Sequence, residues 1–214
     1  MYESNTTNGA VNFVVSAPAS TIAGAAVPVT VSVVDASGAV IPDYNGLVRV
    51  FTNDPRGMSV SYSFTALDGG THTFSAGVNL YTAGTRSILV SAPLAAPASQ
   101  SVTVTPAAAT HFALTAPSTT VAGAPMTFSV VALDAYNNMG ATYTGTVHFS
   151  TSDNQGSLPA DYTFLDTDAG IHAFTGSLAT VNAAGQTITA TDIFGAPSPA
   201  RLRQSQSRRR RRSR

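Results

Sequence analysis

The chain has no cysteine, no lysine and a single glutamate, Glu3. Without cysteine there is neither a disulfide framework nor a thiolate metal site, so each fold must stand on its own apolar core whichever compartment holds it. Without cysteine or lysine, and with no Gly-x-Ser-x-Gly elbow, nucleophilic catalysis lacks its usual side chains. A two-carboxylate glycosidase would have to run on aspartate alone. Charged residues are only 10% of the 214, and no apolar run approaches membrane-spanning length. Residues 1–10 have no basic segment followed by an apolar one, as a secretory leader requires. Ends of this kind fit a piece of a longer reading frame, which is the expectation here.

Positive charge is scarce everywhere except at one end. Eight of the eleven basic residues are arginines within the last fourteen positions, from Arg201 to Arg214. In the rest of the chain Arg49, Arg56 and Arg86 face eleven acidic groups, a balance of −8. An acidic body of this kind disfavours polyanions such as nucleic acid.

What the sequence does have is a repeat. Phe13-Val-Val-Ser-Ala-Pro18 returns as Phe112-Ala-Leu-Thr-Ala-Pro117, 99 residues later. The register continues through Ala23-Gly24 and Ala122-Gly123, Val34-Asp35-Ala36 and Leu133-Asp134-Ala135, and Tyr44-Asn-Gly46 and Tyr143-Thr-Gly145. After one inserted residue the spacing becomes 100, matching Tyr62-Ser-Phe64 with Tyr162-Thr-Phe164 and Gly70-Thr-His72-Thr-Phe74 with Gly170-Ile-His172-Ala-Phe174. A period of this length, each copy large enough to bury a core, means two tandem domains.

Period-two alternation recurs through both copies and predicts strands. Val29, Val31 and Val33 alternate with Thr30 and Ser32; Phe128, Val130 and Ala132 take the matching places. Val48 and Val50 match Val147 and Phe149; His72, Phe74, Ala76 and Val78 share one face, as do His172, Phe174, Gly176 and Leu178; Ile88 and Val90 match Ile188 and Ala190. Asp35-Ala-Ser-Gly38, Asp54-Pro-Arg-Gly57, Asp68-Gly-Gly70 and Ala83-Gly84 mark turns between them. About seven short strands per copy predict an all-β fold of two tandem β-sandwiches, with a closed barrel as the alternative. The expected division is a disordered N-terminus over residues 1–9, sandwich one over 10–106, an incomplete sandwich two over 107–199, and an Arg-rich tail over 200–214. The linker around Thr105-Pro-Ala-Ala-Ala-Thr110 is short, so the sandwiches are expected end to end.

These motifs, namely Ala-Gly before an alternating strand that closes on Asp-Ala, Asp68-Gly-Gly-Thr-His-Thr-Phe74, and Ala83-Gly-Thr-Arg-Ser-Ile-Leu-Val90, resemble the immunoglobulin-like repeats of large bacterial surface proteins. Val33-Val-Asp35-Ala-Ser-Gly38 is similar to the loop after the second strand of invasin- and intimin-type repeats, and the Gly-rich turn before His72 and His172 is similar to that of filamin repeats. The resemblance covers residues 11–106 and 110–192. It implies an immunoglobulin-like fold and a non-catalytic spacer or adhesion module in an extracellular or cell-surface protein. Its implied partners are neighbouring repeats and a protein or carbohydrate surface ligand. No catalytic residue, cofactor or metal comes with it. An accessory domain pair beside a secreted hydrolase is the alternative.

Candidate chemistry is thin. His72 and His172 hold equivalent places, which reads as a shared structural role capping a sheet end. His111 and His148 have no histidine partner in copy one, where Asn12 and Arg49 stand, and zinc is unsupported without His-x-x-x-His or cysteine. Asp166-Thr-Asp168-Ala-Gly170 has the look of a calcium loop, but copy one reads Ala66-Leu-Asp68-Gly-Gly70, so a hairpin turn explains both. Asp54 and Asp153 read as turn initiators. No catalytic, cofactor-binding or metal residue is therefore assigned.

The arginine tail admits three readings: a polyanion-binding device, a solvated disordered end, or the product of a frameshift. The last is favoured because a spacing of 100 places Val102 and Val104 on Leu202 and Gln204, so that copy two loses its final strand where arginine begins. Nucleic acid is a partner only if the tail is genuine. A lost closing strand would also make copy two the less stable half.

Overall fold

The structure, a computed structural model, describes residues 11–93, 95–182, 185–193 and 200–204. The expectations for residues 1–9 and for the arginine run from 208 onward lie outside the described residues. The chain divides into two units that meet between Thr105 and Pro106.

Unit 1 is built from β1 (Asn12–Ser16), β2 (Ser20–Ile22), β3 (Ala26–Val34), β4 (Leu47–Thr52), β5 (Val60–Ser63), β6 (Thr71–Asn79), β7 (Gly84–Ser91) and β8 (Ala98–Thr105). Two sheets form, in the orders β1-β3-β6 and β2-β8-β7-β4-β5. Alternation explains why they stack. Val27, Val29, Val31 and Val33 of β3 are buried, as are Val48 and Val50 of β4, Ile88 and Val90 of β7, and Val102 and Val104 of β8. Each such side chain contributes about 1.5–3 kcal/mol relative to exposure. The faces turned away carry Thr and Ser, with Thr30 bonded to Thr73 and Thr71 to Ser32 through their hydroxyls.

Unit 2 repeats the plan with β9 (His111–Thr115), β10 (Pro125–Leu133), β11 (Thr146–Thr151), β12 (Tyr162–Thr163), β13 (Ile171–Ser177), β14 (Gln186–Asp192) and β15 (Ala200–Gln204). Its sheets run β13-β10-β9 and β12-β11-β14-β15. Both sheets supply one cluster around Phe112, Phe128, Phe149, Phe164 and Phe174. Each unit is thus an all-β sandwich whose first strand pairs with the second long strand and whose last strand pairs with the one before it. Among the described residues no helix is long and apolar enough to cross a membrane.

The register fixes how the chain passes through each unit. In unit 1 Asn12 lies opposite Val34, at the N-terminal end of the sandwich, while Thr105 lies opposite Ile22 at the other. In unit 2 His111 lies opposite Leu133 and Gln204 opposite Gln186. The chain therefore enters at one end of each sandwich and leaves at the opposite one.

Two expectations need correction. Ala76 does not share the inward face with Phe74 and Val78: it is exposed, because the β3–β6 register jumps from Val29 opposite Phe74 to Val27 opposite Val78. The bulge holds two extra residues. A side chain on Gly77 there would come within 2.9 Å of the Phe74 carbonyl oxygen. In β13 the pairing is regular, with Met126 opposite Gly176, so the partner of Val78 is Gly176 and not Leu178. Leu178 answers instead to Leu80, since their carbonyls accept the N–H groups of Gly123 and Gly24.

The second correction concerns the end of copy two. Its closing strand is abnormal rather than lost: β15 spans five residues against eight in β8 and pairs with β14 from Gln186 to Ala190. It also enters the segment assigned to the tail. Leu202 lies opposite Ile188, where unit 1 sets Gln100 opposite Ile88, so the two ends are out of step by two residues.

The cores exchange volume. Val27, Val29 and Val50 become Met126, Phe128 and Phe149, while Val33, Val78 and Val90 become Ala132, Gly176 and Ala190. Enlargement at three places is offset by shrinkage at three, as a packed interior requires. Phe128 stacks on Phe174 and meets the edge of Phe149. Phe128→Ala is expected to cost unit 2 about 3–5 kcal/mol. In denaturant titration followed by residue-resolved NMR, the unit 2 transition should move to lower denaturant and the unit 1 transition should stay in place.

Candidate functional site

Polar side chains shared by both copies gather at the two ends of each sandwich. At the N-terminal end of unit 1, a 3-10 turn, Ala66–Asp68, separates Tyr62 on β5 from His72 on β6. The turn brings all three side chains together. Asp68 Oδ1 accepts from the Tyr62 hydroxyl at 2.8 Å and faces His72 Nδ1 at 2.9 Å. Its Oδ2 accepts from the Thr65 backbone N–H at 2.7 Å and the Thr65 hydroxyl at 3.0 Å. The imidazole lies flat on the Tyr62 ring, with centroids 3.7 Å apart.

Unit 2 reproduces the group with Tyr162, Asp168 and His172 at 2.9 and 2.8 Å, and with Leu165 N–H on Asp168 Oδ2 at 2.7 Å. The imidazoles do stand near the start of β6 and β13, but their partner is the turn carboxylate. Asp166 lies exposed on the same turn, while Asp168 spends both oxygens on it. The sequence pairs Tyr62 with Tyr162 and Asp68 with Asp168 at the same spacing as the histidines. That shared spacing is the signal that would have joined the three residues.

Backbone constraints hold these turns in place. The turn closes on Gly69 at φ 58° in unit 1 and on Ala169 at φ 49° in unit 2, a left-handed conformation that costs an L-residue about 1 kcal/mol or more. In the preceding loop the Tyr44 ring folds over Gly46, where any Cβ would fall 2.2 Å from its hydroxyl; Tyr143 does the same over Gly145. This accounts for the repeated Tyr-x-Gly motif.

At the C-terminal end a buried carboxylate ties two loops together. Asp54 accepts from the N–H groups of Tyr81 at 2.7 Å, Thr82 at 2.8 Å and Arg56 at 2.9 Å, and from the Thr82 hydroxyl at 2.9 Å. Asp153 makes the same set with Ala179, Thr180, Gln155 and the Thr180 hydroxyl. Burial alone would raise these carboxyls. The backbone N–H groups, Thr82 foremost for Asp54 and Thr180 for Asp153, outweigh it and hold both below the ordinary value. They are loop pins, a larger role than the turn initiation read from sequence. Beside them the copies differ: Arg86 reaches the Thr82 and Ala83 carbonyls, whereas Gln186 bonds the Thr180 and Ser152 hydroxyls.

Asp134 is fully buried and serves the segment that leads into unit 2. Its Oδ1 accepts from the N–H groups of Tyr136 and Asn138, both at 2.8 Å, and its Oδ2 from the Asn138 side chain at 2.8 Å and the Ala107 N–H at 3.0 Å. Asp35, its counterpart, uses one oxygen for the same turn, through Ser37 and Ala39. Tyr143 donates to Asp192 at 2.5 Å, and burial followed by that carboxylate pushes its phenol far up. Of the remaining histidines, His148 faces Asp161 at 2.7 Å in an exposed pair, and His111 faces Asn137 at 3.0 Å.

Chemically, the shared groups bind backbone and one another. Among the described residues no group of three or more His, Asp or Glu is disposed to hold a metal ion. An open cleft in unit 2 is lined by Gly123, Pro125, Ser157, Thr175, Gly176 and Ser177, none of them ionisable.

No family model matches the chain, and no curated protein matches it. Among solved structures it is similar to the Escherichia coli adhesin FdeC, with 18% identity over 89% of this chain and 63% of that one and a TM-score of 0.44. It is similar to the Yersinia pseudotuberculosis adhesin InvE, with 16% identity over 93% and 59% and a TM-score of 0.37. It is also similar to a β-glycosidase from Bacteroides vulgatus, with 13% identity over 90% and 24% and a TM-score of 0.41. The chain thus spans about a quarter of the glycosidase and about three fifths of each adhesin.

Two outcomes follow from the geometry. Asp54, Asp134 and Asp153 have folded values below their unfolded ones, so the stability they contribute is present above the unfolded value of about 3.9 and is lost as pH falls through the folded one. Circular dichroism melts should therefore hold a plateau from pH 7 to about 5 and fall steeply below about 4. Ala169→Gly should stabilise unit 2 by about 0.5–1 kcal/mol through relief of the left-handed strain, read as a rise in its denaturation midpoint.

Proposed function

We propose that this chain is a non-catalytic spacer within a larger extracellular or cell-surface protein, its neighbours being further repeats of the same kind. The observation that carries the reading is the passage of the chain through each sandwich from one end to the opposite one. A domain threaded in this way adds its own length to the chain that carries it. At a strand rise of about 3.3 Å, nine-residue strands such as β3 give a body roughly 30 Å long before loops are added. Support also comes from the shared polar groups, whose lone pairs and protons are used within each unit to hold its loops. A head group carried beyond such units is kept away from the surface, and the end loops are placed to meet it or an outside partner.

The test places the chain between a bacterial surface anchor and a small binding domain of known ligand. Capture of ligand-coated beads should exceed that of cells carrying a Gly/Ser linker of equal residue number, while binding of free ligand stays the same. Equal bead capture by the two linkers would sink the spacer reading.

A further inference from the structure

We infer that Asn45 is a self-modifying site: it converts with time to aspartate and isoaspartate, releasing ammonia, and in doing so loosens unit 1 alone. Asparagine is thermally labile because its amide carbon lies within reach of the next backbone nitrogen, a five-membered ring away. The residue that follows decides whether that nitrogen is screened. Glycine has no Cβ to cover it and leaves the backbone free to turn. Asn45 precedes Gly46, whereas every other asparagine of the described residues precedes a residue with a side chain.

Both reacting groups are unoccupied. Asn45 is exposed in the loop between β3 and β4, and its side chain makes no hydrogen bond among the described residues. The Gly46 N–H has no acceptor there either, although its surroundings are bonded: Tyr44 N–H donates to the Ile41 carbonyl at 3.4 Å, and Phe64 N–H to the Gly46 carbonyl at 3.1 Å. The Asp68-Gly69 pair in the same unit is the opposite case. Its carboxylate is held by Tyr62, His72 and Thr65, and the Gly69 N–H donates to the Ala66 carbonyl at 3.3 Å. In unit 2 Thr144 stands before Gly145 under the same tyrosine ring, and a threonine has no side-chain carbonyl carbon to attack.

The conversion needs only the chain and water. The Gly46 nitrogen loses its proton and bonds to the Asn45 side-chain carbon; the bond from that carbon to Nδ2 breaks, and Nδ2 leaves with the proton as ammonia. Water then opens the ring. Opening at the side-chain carbon gives aspartate, and opening at the main-chain carbon gives isoaspartate, whose backbone runs through the side chain and is longer by a methylene. Either product adds negative charge two residues from Asp43, in a body already acidic. The added methylene falls between the Tyr44 ring, which meets Phe64 edge-on, and the Gly46 carbonyl that holds the Phe64 N–H. β4 begins at the next residue, Leu47. The isoaspartate form therefore loses the match between Tyr44 and Gly46 at the entry to β4, while unit 2 keeps its own. This chemistry belongs to the loop, and it holds or fails apart from the spacer role.

The test holds the whole chain at neutral pH and body temperature for several weeks. Asn45 is followed by peptide mapping with tandem mass spectrometry, which separates it from Asn8, also before glycine. The free peptide spanning residues 43–53 is aged beside it. Conversion at Asn45 in the folded chain should run within about tenfold of the peptide rate, because neither reacting group is held. Asp68 should stay aspartate. Denaturant titration followed by residue-resolved NMR should then show a second unit 1 transition at lower denaturant, its share equal to the isoaspartate fraction, beside an unchanged unit 2 transition. Asn45→Thr copies the residue of unit 2 and should remove both the products and the second transition. Protection of folded Asn45 by more than about tenfold over the peptide overturns the inference, and that comparison needs no substitution. An isoaspartate-bearing chain whose unit 1 transition has not moved overturns it equally.

Discussion

The interaction on which most of this molecule depends is an aspartate accepting backbone N–H groups. Sandwich loops leave amides that no strand can satisfy, and an unpaired buried amide costs as much as a lost hydrogen bond. Aspartate meets that need because its side chain is short enough to reach its own turn and bears two acceptor oxygens. Asp35, Asp54, Asp68, Asp134, Asp153 and Asp168 all work in this way. The net acidity of the body is therefore mainly internal stitching. Asp43, Asp161 and Asp166 are the exposed aspartates among the described residues, and Asp161 is paired there with His148. The same stitching explains why glutamate is nearly missing, since one more methylene would carry the carboxylate past the amides it has to meet.

Between the two ends, each unit depends on a core that tolerates exchange of volume but not of pattern. Six inward positions differ in size between the copies, and every one remains apolar and buried. The polar neighbours are less conservative. Arg86 and Gln186 occupy the same place and satisfy different loop groups, and Tyr143 found Asp192 where unit 1 offers Ala92 to Tyr44. Divergence has thus been absorbed by re-pairing polar groups locally while the inward and outward alternation of the strands stayed fixed.

That alternation is also what made the fold legible. Strands announce themselves with a period of two, and duplication supplies a second reading of most turns, so the strands and many of the buried valines and phenylalanines are legible from residues alone, while their order in the sheets is not. Ala76 could not. A small apolar residue fits an inward or an outward position equally, and nothing in Ser75-Ala-Gly77 marks the bulge until the pairing with Val27 is seen. The closing strand of the second copy was obscured because its pairing is shifted by two residues, so that alignment by spacing set Leu202 against the wrong partner. The Tyr–Asp–His group is not legible in the sequence of either copy alone, where its members lie four to ten residues apart on two strands and a turn. Residues 62, 68 and 72 meet only through a tight turn, a three-dimensional relation to which a strand-period search is blind.

The bulge in β6 has a consequence beyond the position of Ala76. β6 and β13 are equivalent edge strands, and each exposes backbone that another strand can join. In unit 1 the edge is kinked by two extra residues; in unit 2 it is straight, and Ser157 crosses to exchange both backbone hydrogen bonds with Ser177. Two similar sequences tethered in one chain meet at very high local concentration while folding, the circumstance in which a strand of one copy is most easily captured by the other. Edges of unlike shape accept each other's partners poorly. The drift between the copies gives their equivalent edges different shapes, which disfavours exchange of strands between them as each folds.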